Sequence, residues 1–129
     1  MRTIKFRKWT KNTEGKYRMK QCSAEDLSSE NFILACDGEL MQYTGLKDKN
    51  GVEIYEGDIV LMFQPDIPQW KMKADRKILE VKWGDEYANF YLQRIDKEDE
   101  NNPGGRWTAQ LVKDMELVGN IYENPELLK

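Results

Sequence analysis

The 129-residue chain contains no histidine. That absence removes Ser-His-Asp and Cys-His catalysis, histidine-bearing zinc-protease motifs and histidine-ligated transition metals together. Cysteine is nearly absent too: Cys22 and Cys36 are the whole complement. Two thiols without further soft ligands do not make a zinc site. The N-terminal stretch MRTIKFRKWT lacks an apolar core of signal-peptide length, and no later window approaches a membrane span. The chain therefore reads as cytoplasmic, where both thiols stay reduced and no disulfide is expected.

What remains is the material of one ordinary soluble domain. Hydrophobic residues make up 40% of the chain and aromatic residues 11%, enough for a core without disulfides or metal. The net charge of −3 conceals an asymmetry. Residues 1–20 hold eight Lys and Arg against the single acid Glu14, whereas the rest of the chain is acidic, with 12 basic and 22 acidic side chains. Such a split marks either an arm that meets an acidic partner or two parts of one domain that attract each other.

The hydrophobic pattern is that of short strands between glycine-containing turns. Arg2–Trp9 alternates, with Ile4 and Phe6 on one face and Lys5 and Arg7 on the other, expected to meet solvent. A turn at Asn12–Gly15 leads to a return strand at Lys16–Lys20. Ser23–Asp26 looks like a short helix start, Asn31–Cys36 is an apolar run of strand length, and Asp37-Gly38 is a hairpin signal. Glu39–Thr44 would return, broken by Gly45. Asn50-Gly51 and Gly57-Asp58 are further turns, the latter opening a strand, Ile59–Phe63, with apolar residues on both faces. Pro65 and Pro68 open a loop. Lys77–Trp83 and Tyr87–Ile95 read as two more strands around Gly84-Asp85. Thr108–Asp114 is open between helix and strand, Glu116–Tyr122 is strand-like, and Asn124-Pro125-Glu126 begins a helical turn. Many short strands without intervening helices favour a small barrel or sandwich over a βαβ architecture.

At Met41–Val60 the sequence resembles the YopX family, encoded by phages and prophages of Gram-positive bacteria. Three blocks carry the resemblance: Ile4-Lys-Phe-Arg7 with Trp9; Met41-Gln-Tyr-Thr-Gly-Leu-Lys-Asp-Lys-Asn-Gly51 continuing through Glu53-Ile-Tyr-Glu-Gly-Asp-Ile-Val60; and Val118-Gly-Asn-Ile-Tyr-Glu-Asn-Pro-Glu-Leu-Leu128. Residues 64–115 match no motif of the family. The resemblance implies a mainly β fold with a small SH3-like barrel, to which the Gly57–Val60 strand start is suited. The expected layout is an N-terminal hairpin and short-helix region (residues 1–45) followed by the SH3-like barrel region (46–129), with short helical turns, as one compact unit. It also implies oligomers, trimers among them, and supplies no activity, catalytic residue or cofactor.

Several constellations invite a chemical reading. Glu53, Glu56 and Asp58 could form an acid/base pair or a Mg²⁺ site, but carboxylates beside a turn more often accept backbone N–H bonds, and no nucleophile lies nearby in sequence. The acidic run Asp96–Glu100 lacks calcium-loop spacing and reads as solvated loop. No catalytic, metal or cofactor residue is therefore assigned. Gly45, Asn50, Gly51, Gly57 and Asp58 are taken as structural turn positions, and Gly119-Asn120 as a turn or bulge. The loop after Pro65 differs: Ile67, Trp70 and Met72 alternate with Lys71, Lys73, Arg76 and Lys77, a composition suited to a protein partner or to base stacking with phosphate contacts. Its alternative is a cap over an open barrel end. The basic hairpin (Lys5, Arg7, Lys8, Trp9, Lys16, Arg18) is a second nucleic-acid candidate, opposed by the overall acidity. The reading that results is a non-enzymatic phage or prophage accessory protein of the bacterial cytoplasm, acting through self-association or contact with a host protein and not at a membrane. A small nucleic-acid-binding barrel is the alternative, and a carboxylate-dependent enzyme a remote one.

Overall fold

The computed structural model describes residues 4–22, 38–96 and 106–128. The expected helix at Ser23–Asp26, the strand at Asn31–Cys36 and the thiol of Cys36 lie outside the described residues, as does most of the acidic run after Asp96.

Among the described residues nine strands form two antiparallel sheets. The N-terminal sheet holds β1 (Phe6–Lys11), β2 (Tyr17–Cys22), β3 (Gly38–Lys47) and β4 (Glu53–Tyr55) in the order β2-β1-β3-β4. It runs on to Tyr55, past residue 45. The second sheet holds β5 (Asp58–Gln64), β6 (Asp75–Gly84), β7 (Asn89–Arg94), β8 (Arg106–Thr108) and β9 (Glu116–Asn120) in the order β8-β7-β6-β5-β9. Four consecutive strands meander, a 3₁₀ turn at Ala109–Asp114 crosses the end, and β9 returns to the free edge of β5. The protein is thus mainly β, with curled sheets in a half-barrel. The connectivity of the second sheet is compatible with the expected SH3-like barrel.

The core explains the strand alternation. Leu79 and Val81 of β6, Leu92 of β7 and Val60 of β5 are fully buried beside Val112 of the 3₁₀ turn and Met115 that follows it, and Ile54 of the N-terminal sheet packs into the same cluster. Ile54 therefore makes the two sheets share one core. The other face of β5 is also buried at its start, where Ile59 is covered. This is why that strand is apolar on both sides.

Two expectations change in the structure. Gly45 does not end its strand: β3 runs through it with positive φ (85°), and the pairing to β4 shifts register between Tyr43 and Lys47, as at a bulge. The segment Thr108–Asp114, open from sequence, is a short strand end followed by the 3₁₀ turn, whose buried Ala109 and Val112 are too few to hold a longer helix. Gly57 needs its missing side chain as well as its φ of 87°, because a Cβ there would stand 3.2 Å from Met41 Sδ.

At the β6–β7 hairpin, Ala88 adopts φ 48° without being glycine. L-residues pay a steric cost there that glycine escapes. Ala88→Gly should raise unfolding stability by about 0.5–1 kcal/mol, read as a higher urea midpoint at unchanged slope. A lower midpoint would show that glycine's extra unfolded-state freedom outweighs the relief.

Candidate functional site

The loop between β5 and β6 is built from its own backbone. Ile67 and Met72 form an isolated bridge, Ile67 N donating to Met72 O at 2.8 Å and Met72 N to Ile67 O at 3.1 Å. Pro68 pre-sets the φ that opens the enclosed 3₁₀ turn, Pro68–Trp70, and Lys71 closes it in the left-handed region at φ 55°. Outside the bridge, Asp66 Oδ1 accepts from Ala74 N at 2.7 Å, and Gln64 Nε2 donates to Lys73 O at 3.2 Å. Ladder, turn and side-chain bonds together make a small rigid projection.

At its tip Trp70 is 68% exposed. It does not fold back over the barrel end. Ile67 and Met72 are half-buried, and Asp66, Pro68, Lys71, Met72 and Lys73 line a shallow cavity of about 320 Å³ beside it. Phe63, the last apolar residue of β5, is also exposed, and Arg76 stands opposite it on β6. Lys71, Lys73 and Arg76 are exposed. Lys77 is the exception among the candidates and corrects the sequence reading: it is only 3% exposed. Its ammonium bonds Gln64 Oε1 at 3.1 Å, pairs with Asp75 at 3.5 Å and lies over the Trp107 ring. The inward face of β6 claims it because its position shares the parity of Leu79 and Val81.

The basic hairpin is dispersed by the fold. Arg7, expected on a solvent face, is buried: its guanidinium pairs with the buried Asp58 across the two sheets at 2.5 Å and lies over the Tyr55 ring. Lys8 is buried as well. Trp9 is held between Tyr17 (centroids 5.7 Å apart) and Tyr122 (5.8 Å) in a three-ring stack that ties the hairpin to the C-terminal segment. Lys5 pairs with Glu53 at 2.8 Å. Of the six candidates, Lys16 and Arg18 remain exposed without a partner among the described residues. Alternation alone could not have shown this, because it cannot say which face a second sheet covers.

The three carboxylates do not converge. Glu53 is spent on Lys5. Asp58 Oδ2 accepts from Tyr55 N at 2.8 Å, the turn role expected of it, and Oδ1 from Arg7, an ion pair that sequence reasoning missed. Burial pushes the Asp58 carboxyl up, against the opposing pull of Arg7 and the Tyr55 N–H. Glu80 is raised by its own burial, eased by Lys82 and reinforced by the charge of Glu56. Among the described residues no group of three carboxylate or thiol side chains could hold a metal ion, and no helix is long and apolar enough to cross a membrane. The Cys22 thiol is buried and faces Lys20 O at 3.8 Å.

The arrangement is that of a mainly β half-barrel with a projecting aromatic loop. Residues 4–129 match the model of the YopX protein family, and the chain belongs to that family. Its fold is similar to that in the crystal structure of protein EF1440 from Enterococcus faecalis, with 26% identity and a TM-score of 0.52 over 100% of each chain. No curated protein matches.

Proposed function

We propose that this is a non-enzymatic accessory protein of a phage or prophage, working in the cytoplasm of its bacterial host by protein–protein contact through the Trp70 loop. One observation carries the reading: a large aromatic side chain stands 68% exposed on a loop whose backbone is already bonded into shape. Exposed tryptophan is costly to keep in water, and tryptophan on a rigid support is what hot spots of interfaces are made of. Pre-organisation lowers the ordering cost of binding, and Lys71, Lys73 and Arg76 around it suit a partner surface of acidic character. Family membership bears on the phage or prophage part of this reading, through what the resemblance implies. The partner is a host protein or a second copy of this chain.

Trp70→Ala should leave the unfolding midpoint within about 0.5 kcal/mol of the parent, since it removes an exposed side chain. It should weaken self-association or host-protein capture by tenfold or more, as loss of a hot spot does. Light scattering and pull-down from host lysate read the two arms. A parent protein that is a monodisperse monomer and retains nothing from lysate would overturn the proposal.

A further inference from the structure

The Asn50-Gly51 turn carries a chemistry of its own, independent of the Trp70 loop. Asparagine is a labile residue, and most labile before glycine. The main-chain nitrogen of the following residue attacks the side-chain Cγ, a five-membered succinimide closes, and ammonia leaves. Water then opens the ring at either carbonyl, giving aspartate or isoaspartate. One C–N bond replaces another and nothing is oxidised, so water is the sole co-reactant. Glycine favours the attack because it has no side chain to hinder the approach.

Both residues are exposed. A Cβ placed on Gly51 would meet nothing within 4 Å, so water and base reach the site. What the fold withholds is the nucleophile. Gly51 N donates to Asp48 O at 3.0 Å, and the amides on either side, Asn50 N and Val52 N, donate to Asp48 Oδ1 at 2.9 Å each. One residue thus gathers three successive N–H groups, and Asp48 N closes the hairpin onto Val52 O at 2.9 Å. An amide nitrogen must lose its proton to attack, and here that proton is held in a hydrogen bond. The fixed backbone also keeps the nitrogen from turning onto the Asn50 Cγ. The reaction therefore waits for the turn to open, and local opening of an exposed turn costs less than global unfolding.

The two products differ in what they do to the turn. Aspartate adds only a charge at an exposed position. Isoaspartate also lengthens the main chain by one methylene, between N–H groups that Asp48 must hold together. Asp48 Oδ2 accepts from Leu117 N at 3.0 Å, so a misshapen turn loosens β9 as well. We infer that Asn50 is a latent modification site: it keeps its amide while Asp48 closes the turn, and opening of the turn exposes it to irreversible conversion to isoaspartate, which unfastens β9.

Peptide mapping by mass spectrometry, with labelling by an isoaspartate methyltransferase, follows Asn50 in the full chain at mildly alkaline pH. A free peptide, Leu46–Ile54, serves as the open reference. Asn50 in the full chain should convert about tenfold or more slowly than in the peptide, the slowing expected of a reaction that waits on a local opening. Urea well below the unfolding midpoint should accelerate conversion in the full chain and have little effect on the peptide. Asp48→Asn should convert several-fold faster than the parent under the same conditions. The isoaspartate form, separated after conversion, should unfold at a lower urea midpoint than Asn50→Asp, which carries the charge without the extra methylene. Its Leu117 amide should also exchange faster with solvent. Conversion in the folded chain at the rate of the peptide, no acceleration by either Asp48→Asn or urea, or an isoaspartate form as stable as Asn50→Asp would each overturn the inference.

Discussion

Arg7→Met should destabilise the protein by about 3–5 kcal/mol at neutral pH, the usual consequence of removing one member of a buried ion pair. The change leaves the Asp58 carboxylate, 1% exposed, with the Tyr55 N–H as its remaining donor. It also removes the guanidinium from the Tyr55 ring and the weak bond to Glu56 O at 3.5 Å. The pair joins β1 of one sheet to β5 of the other, so the loss falls on the contact between sheets. Urea or thermal unfolding monitored in both sheets would read it.

The pH dependence makes the mechanism specific. Burial already raises the Asp58 carboxyl in the parent, opposed by Arg7. Without Arg7 only the Tyr55 N–H still opposes the burial, and the folded pKa rises further above its unfolded value. Between the two values the folded state binds more protons than the unfolded state, so stability increases as pH falls. The deficit of Arg7→Met should therefore narrow on acidification from neutral pH, as Asp58 takes up a proton and becomes neutral. Asp58→Asn should behave differently: it removes the carboxyl that takes up the proton, and its deficit should show no such recovery. Arg7 Nε is already buried without a partner, so the pair is imperfectly satisfied even in the parent. Replacing both members, Arg7→Met with Asp58→Leu, should accordingly cost less than either single change. A double variant as unstable as the sum of the singles would show that the pair contributes nothing as a pair.

Arg7 also shows where the sequence was legible and where it was not. The turns were legible because each rests on local backbone chemistry. Gly15 and Gly51 take positive φ, and Asn12 Oδ1 closes its turn onto Glu14 N and Lys16 N. Strand periods were legible along β6, where Leu79 and Val81 are buried and alternate with half-buried Ile78, Glu80 and Lys82. The pairing of one element with another was not. Alternation in Ile4–Trp9 gives two faces, but only the packing of a second sheet makes the Arg7 face the inner one. Lys77 was assigned to the binding loop by its neighbours in sequence, whereas strand parity turns it inward. The exposed Trp70 was legible as a candidate because tryptophan in a polar, proline-bounded stretch has few apolar neighbours in sequence to pack on. The stacking of Arg106 on Tyr91 was not, since those two side chains come together only through the ladder from β7 to β8.

The other large effect is expected at Asp48, which sequence inspection passed over as part of a polar turn. Its Oδ1 accepts from Asn50 N and Val52 N, each at 2.9 Å, and closes the Asn50-Gly51 turn. Its Oδ2 accepts from Leu117 N at 3.0 Å and so ties that turn to β9. The neighbouring backbone follows, with Lys49 N donating to Met115 O at 2.9 Å. One carboxylate thus satisfies three main-chain donors and pins the strand that closes the half-barrel. Asp48→Ala should cost about 3–4 kcal/mol, since each donor loses a charge-assisted bond and water replaces only part of it at this buried site. Asp48→Asn should recover part of this, because its carbonyl can still serve the turn while its NH₂ faces the Leu117 N–H, donor against donor. Burial alone would raise the Asp48 carboxyl, but the three N–H donors, helped by Lys49, outweigh it and hold the group below the usual carboxylate range. A depressed folded pKa means that the stabilisation is fully present above the unfolded value, near 3.9, and is lost as pH falls through the folded one. The parent should therefore lose stability below about pH 4 more steeply than Asp48→Ala, whose curve lacks this contribution. Parallel acid limbs for the two proteins would remove Asp48 from the account of how β9 is held.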